Sequence, residues 1–168
     1  KYPDVAVIHF DAHTDQRQEY LGNRLSHATV IRRIWEIIGD GRIFQFGIRS
    51  GERAEWYGSA EGPTKIQKFS FAGLDETIAA LKGRPIYLTI DLDVLDPSCF
   101  PGTGTPEAGG VRFTDLLSAA LRTIRGCQIV GCDMVELSPP LDPSGTSTAT
   151  ALKLLREMLL ALEKPYLK

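Results

Sequence analysis

The chain has 168 residues, 43% of them apolar and 24% charged, ordinary proportions for one globular domain with a sizeable core. Its 19 basic and 21 acidic side chains leave a net charge of −2, which gives no electrostatic footprint for nucleic acid or an anionic membrane. No apolar run approaches the roughly 18–20 residues of a membrane span, and no secretory pattern opens the sequence.

Val5 to Phe10 is a continuous apolar run with β-branched residues, predicting a strand covered on both faces. A polar stretch from Thr14 to Leu25 follows, with Gly22-Asn23 marking a turn. Ser26 reads as the N-cap of a helix through Ile31, Ile34, Trp35 and Ile38, which Gly39-Asp40-Gly41 ends. Arg42 to Ile48 predicts a second strand, Glu52 to Tyr57 a short helix, and Ile66 to Phe69 a third strand. Leu74 to Leu81 has helical spacing, and Pro85 to Ile90 is a clear strand that delivers Asp91 and Asp93. Asp96 to Gly110 is a long Pro/Gly loop, the kind that a compact domain keeps for function. Thr114 to Ile124 predicts an amphipathic helix, Gln128 to Val135 a strand and Ser147 to Leu162 a final helix.

This alternation predicts an α/β domain spanning residues 1–168, three layers deep, with a mostly parallel sheet between helices. In such sheets ligands bind beyond the carboxyl ends of strands, where Asp11, Asp91 and Glu136 fall. The three cysteines, Cys99, Cys127 and Cys132, have neither zinc-pair nor redox-pair spacing. They read as buried reduced thiols of a cytoplasmic protein. The start at Lys1-Tyr2-Pro3-Asp4, entering a strand without an initiator Met, reads as a chain from which earlier structure is missing.

Two clusters carry the chemistry. Asp11-Ala-His13-Thr-Asp15 and Asp91-Leu-Asp93 each close a buried strand, and strand alternation would aim residues two apart at one spot. Either cluster alone could be turn residues. Together they gather carboxylates that repel unless protonated or bound to cations, which points to one or two divalent metal ions. Asp96, directly before Pro97, reads as a loop-shaping residue rather than a ligand. His9 reads as a core histidine or a support for the ligands. His27 is the better candidate for proton transfer, since imidazole exchanges protons near neutral pH. Glu136 could pair bidentately with a planar cation such as guanidinium, or be a salt-bridged strand end.

These residues together resemble the ureohydrolase family, which includes arginases and agmatinases. The resemblance rests on Asp11-Ala-His13-Thr-Asp15, Ser26-His27-Ala28, Thr89-Ile90-Asp91-Leu92-Asp93-Val94-Leu95-Asp96-Pro97, Thr103-Gly104-Thr105-Pro106 with Gly109-Gly110, and Asp133-Met134-Val135-Glu136. Gly47-Ile48-Arg49-Ser50 and Pro139-Pro140-Leu141-Asp142 look closer to the agmatinase branch.

The resemblance implies an arginase-like fold with its N-terminal elements missing. It also implies two Mn²⁺ ions bridged by Asp11 and Asp91, with Asp15 completing one set and His13 with Asp93 the other. A hydroxide between the ions would attack a guanidinium carbon at a centre that includes Asp15, and His27 would pass a proton to the departing amine. Glu136 would hold the guanidinium, and Thr105 would orient it. Agmatine would give urea and putrescine, and arginine or guanidinobutyrate are the alternative substrates. A homo-oligomer, trimeric or hexameric, is implied as well.

One departure matters. The family's Gly-Gly-Asp/Glu-His motif, which supplies a further histidine to the first metal, is absent from the sequence. His9 would lie at the wrong end of the cluster to replace it. The chain could therefore be a catalytically incomplete, metal-binding part that persists by association with itself or other chains. A metallophosphoesterase shares the Asp-x-His opening, but its Gly-Asn-His motif is absent and three histidines are few for its site.

Overall fold

Every residue of β1 (Ala6–Phe10) is buried, so both faces of this strand are covered. A computed structural model describes residues 1–57 and 64–163. It contains β2 (Ile43–Ile48), β3 (Thr64–Lys68), β4 (Pro85–Asp91) and β5 (Gln128–Val135). The helices are α1 (Val30–Ile38), α2 (Arg53–Tyr57), α3 (Leu74–Ala80), α4 (Phe113–Gly126) and α5 (Thr146–Leu162). The strands form one sheet in the order β3-β2-β1-β4-β5, and every pair is parallel.

Alternation along the strands sorts two cores. Ala6, Ile8, Phe10, Leu88 and Ile90 pack on one face with Leu74 of α3, Leu116 and Ala120 of α4, and Leu154 and Met158 of α5. Val7 and Ile43 turn to the other face and meet Ile31, Ile34, Trp35 and Ile38 of α1. The predicted three-layer α/β architecture is therefore present. Ser26 caps a 3₁₀ turn, His27–Thr29, that leads into α1, through a reciprocal capping box with Thr29.

The sequence misses two further 3₁₀ turns, Leu92–Val94 and Pro139–Leu141, because three-residue turns leave no periodic signal. The cysteines also differ from expectation. Cys99 and Cys127 are half-buried, and Cys132 is exposed because β5 is an edge strand. Among the described residues, no helix is long and apolar enough to cross a membrane.

Candidate metal centre

The strand order places a topological switch point between β1 and β4. From β1 the chain steps outward to β2 and β3, then returns to the opposite side of β1 with β4. Connections diverge on either side of this pair, which leaves a crevice beyond the strands' carboxyl ends. Phe10 is in register with Ile90, so Asp11 and Asp91 emerge side by side at that crevice.

Turns, not strand alternation, bring the remaining donors in. β1 ends at Phe10 and Asp93 lies in the 3₁₀ turn, so of Asp11, His13, Asp15, Asp91 and Asp93 only Asp91 is itself a strand residue. The Asp11 carboxylate accepts the His13 N–H at 2.5 Å, and Ala12 O accepts the Arg49 and Ser50 N–H groups at 2.7 and 2.9 Å. These bonds bend the segment over the end of β2. Asp15 then takes a left-handed backbone conformation, φ 53°, which turns its side chain back toward Asp11. On the other strand, Asp91 caps the turn by accepting the Asp93 N–H at 2.9 Å.

Two compact donor groups result. The ligating atoms of Asp11, His13 and Asp93 lie within 4.8 Å of one another, as do those of His9, Asp11 and Asp15. Asp11 is common to both. His13 Nδ1 is 3.0 Å from Asp93 Oδ2 and 3.4 Å from Asp11 Oδ1. His9 is not at the wrong end of the cluster, since its Nε2 lies 2.8 Å from Asp11 Oδ2. It shares Asp11's face of the extended segment, and Asp15 folds back to meet the pair. Asp91 belongs to neither compact group but lines the same cavity.

The electrostatics are those of an anionic donor set. Burial, and then the charge of Asp11, push the Asp15 carboxyl up to about 8. Burial, Asp11 and Asp93 hold Asp91 well above the usual carboxylate range, and burial raises Asp93 too. Burial also works against the charge of Asp11, but His9 and the His13 hydrogen bonds outweigh it and pull that carboxyl down. Burial opposes the His13 cation, yet its bonds to Asp11 and Asp93 raise it to about 10. Four carboxylates this close repel one another unless protonated or bound to cations, and divalent cations would offset that charge. Carboxylate and imidazole donors suit such ions.

A cavity of about 470 Å³ opens above the donors, lined by His13, Asp15, His27, Asp91, Asp93, Thr105 and Glu136, with Arg17, Tyr20, Glu52, Glu55 and Glu107 among its other walls. Asp11 lies beneath it, 1% exposed. Every residue singled out from the sequence for the site is thus brought to one place. The His27 ring stands edge-on to Tyr20 at 5.2 Å. The Thr105 hydroxyl is 3.4 Å from Asp93 Oδ2. Glu136 has φ 61°, so two of the four left-handed non-glycine residues described, Asp15 and Glu136, border this cavity.

Asp96 is indeed a loop-shaping residue, accepting the backbone N–H groups of Ser98, Gly109 and Gly110. Arg17 pairs with Glu52 at 3.2 Å, and Asn23 closes a turn by accepting the Leu25 N–H.

His9 does support Asp11, as the sequence suggested, but sequence reasoning missed the glutamine behind it. Gln45 sits fully buried in β2, with its amide nitrogen 3.1 Å from His9 Nδ1 and donating to Thr14 O at 2.8 Å. Its carbonyl oxygen accepts from Gln16 Nε2 and Thr64 Oγ1. A lone glutamine inside the apolar run Ile43-Phe44-Gln45-Phe46 was the available signal, because a buried amide needs partners.

Fold and site together define a parallel α/β protein with a cluster of candidate metal ligands at its switch point. The chain belongs to the arginase family, whose pattern it matches over residues 1–161. It is 47% identical over 166 residues to the agmatinase of Bacillus subtilis, covering 98% of this chain and 57% of that protein. It is 35% identical to the guanidinobutyrase of Pseudomonas aeruginosa, covering 96% of this chain and 54% of the relative. Among solved structures, agmatine ureohydrolase of Thermoplasma volcanium superposes with a TM-score of 0.86 at 35% identity, over 99% of this chain and 57% of that one. The chain therefore spans a little over half the length of these relatives.

Proposed function

We propose that this chain is part of a Mn²⁺-dependent guanidine hydrolase that converts agmatine to putrescine and urea. The observation that carries this reading is Asp11, shared by two donor groups at the floor of a cavity whose wall holds Glu136. Asp11 would hold both ions, His13 and Asp93 one of them, and Asp15 the other, with Asp91 beside Asp11 at the strand end. Bound there, the cations supply Lewis acidity and water of lowered pKa. Glu136 would accept the N–H groups of the guanidinium, and a carboxylate and a planar fork suit that pairing. Thr105, within reach of Asp93, would orient the same group. His27, on the cavity wall against Tyr20, would deliver a proton to the leaving amine.

Agmatine is favoured over guanidinobutyrate because Glu52, Glu55 and Glu107 line the cavity and Arg17, the arginine among its described lining residues, is paired with Glu52. Such walls favour a cationic tail over a carboxylate. The test is urea release from agmatine, arginine and guanidinobutyrate with added Mn²⁺. Agmatine should be hydrolysed fastest, and no urea from any of the three by the metal-loaded protein would overturn the reading.

Asp91, outside both compact donor groups, favours a second reading, in which this chain binds metal but completes its site only by association. Tight binding of two Mn²⁺ by the isolated chain would exclude it. A homo-oligomer is proposed with either reading, and light scattering of the purified chain tests it.

A further inference from the structure

Arg49 follows β2, within the stretch Gly47-Ile48-Arg49-Ser50. Among the described residues its guanidinium pairs with no carboxylate, and its hydrogen bonds go to backbone carbonyls. Nη2 donates to Asp93 O at 2.7 Å, to Glu107 O at 2.8 Å and to Leu95 O at 3.3 Å. Nη1 donates to Gly47 O and Val94 O, both at 3.2 Å, and Nε to Glu107 O at 3.3 Å and Ala108 O at 3.2 Å. The backbone N–H of the same residue donates to Ala12 O, between Asp11 and His13. One residue therefore ties together the β1 turn, the turn that carries Asp93, and the segment that carries Thr105 and Glu107.

The local backbone is built for this. Gly47 has φ 88°, and a Cβ there would lie 2.5 Å from Val94 Cγ2 and 3.1 Å from Asp11 O. The absence of a side chain lets the end of β2 press against the Asp93–Leu95 turn, so that the guanidinium fork reaches across it. A planar five-donor group is the side chain that can hold several carbonyls in fixed relation, which a lysine ammonium cannot.

We propose that Arg49 is a positioning residue that locks the Asp93 turn against the Thr105–Glu107 segment and so holds the His13–Asp93 half of the donor set ready for a divalent cation. This inference rests on the metal-centre reading for its functional consequence, but the clamp itself is testable without metal.

The experiment takes the full chain as wild type, Arg49→Ala and Arg49→Lys. Hydrogen exchange is read first in chelator. The Val111 amide, bonded to Val94 O, and the Gly109 and Gly110 amides, bonded to Asp96, should exchange at least about tenfold faster in both variants. Amides of β1 and β4 should be unchanged. Mn²⁺ titration then follows, read by the electron paramagnetic resonance of free ion. One binding step should weaken about 10–100-fold while the other stays within about twofold, the magnitude expected when a ligand loses its support.

Where Arg49→Ala fails to fold, Arg49→Lys decides by the same two readouts. Unchanged exchange at these amides overturns the clamp, as does wild-type behaviour of Arg49→Lys, because charge alone would then suffice. Parallel weakening of both ions, with faster exchange throughout the sheet, overturns it in favour of general destabilisation. A wild-type chain that binds no Mn²⁺ defeats the metal reading and the proposed role in metal binding, while the exchange arm still decides the clamp.

Discussion

Asp11 is the residue on which the site converges, and its orientation depends on neighbours that are not themselves in the cavity. His9 donates to one of its oxygens, Gln45 contacts the far side of that ring, and Gln16 and Thr64 satisfy Gln45. A buried chain of this kind sets the direction in which a carboxylate presents its lone pairs. His9→Phe and Gln45→Leu should each weaken Mn²⁺ binding about 10–100-fold, measured by isothermal titration. Affinity within twofold of wild type in both would show that Asp11 is held by the backbone alone. At this scale the sequence was legible where chemical type alone marks a candidate, and Asp11, His13, Asp93 and Glu136 do come together at one rim. Arg49 and Gln45 were not legible as support, because their partners are carbonyls and amides that only the fold brings near.

Among the elements, the Asp96–Gly110 loop shows how a long connection stays ordered. Leu95 bridges to Val111 at its base, and the Asp96 carboxylate gathers three N–H groups from its two ends. A Cβ on Gly110 would run into the Asp96 backbone, so Gly110→Ala must displace the loop base. The expected cost is about 1–3 kcal/mol in denaturant melts, and wild-type stability would show that the contact yields.

Hydrogen bonds from the Ser98 side chain and backbone, and then from Gly110 and Gly109, hold the Asp96 carboxyl at about 2, below its ordinary 3.8. A depressed carboxyl stabilises the fold above its unfolded value and loses that contribution as pH falls through the folded one. Asp96→Asn should therefore melt below wild type at neutral pH, with the gap closing between about pH 4 and pH 2. A gap that stays constant across that window would assign the effect to shape rather than charge. The loop's length and its prolines and glycines announced it in the sequence. The 3₁₀ turn before it did not show, and that turn brings Asp93 to His13.

For the whole molecule, the parallel sheet followed from the strand–helix alternation, but the order β3-β2-β1-β4-β5 did not. Apolar runs say that a strand is covered on both faces and leave its neighbours open. The order matters because it sets the switch point beside Asp11 and Asp91, where the carboxylates crowd. A folded state with such a site should be stabilised by the ions it binds. At Mn²⁺ a hundredfold above the dissociation constant the gain is about 2.7 kcal/mol. For a chain of this size that corresponds to a melting temperature raised by about 5–10 °C and returned by chelator. Calcium, matched in concentration and preferring more oxygen ligands, should give a smaller rise.

The most direct measurement is a manganese anomalous difference map from crystals grown with Mn²⁺. It should show two peaks about 3.5–4 Å apart, both within bonding distance of the Asp11 carboxylate, one of them flanked by His13 and Asp93. A map with no peak at Asp11, or with ions only elsewhere on the surface, would contradict the assignment of these side chains as a metal centre.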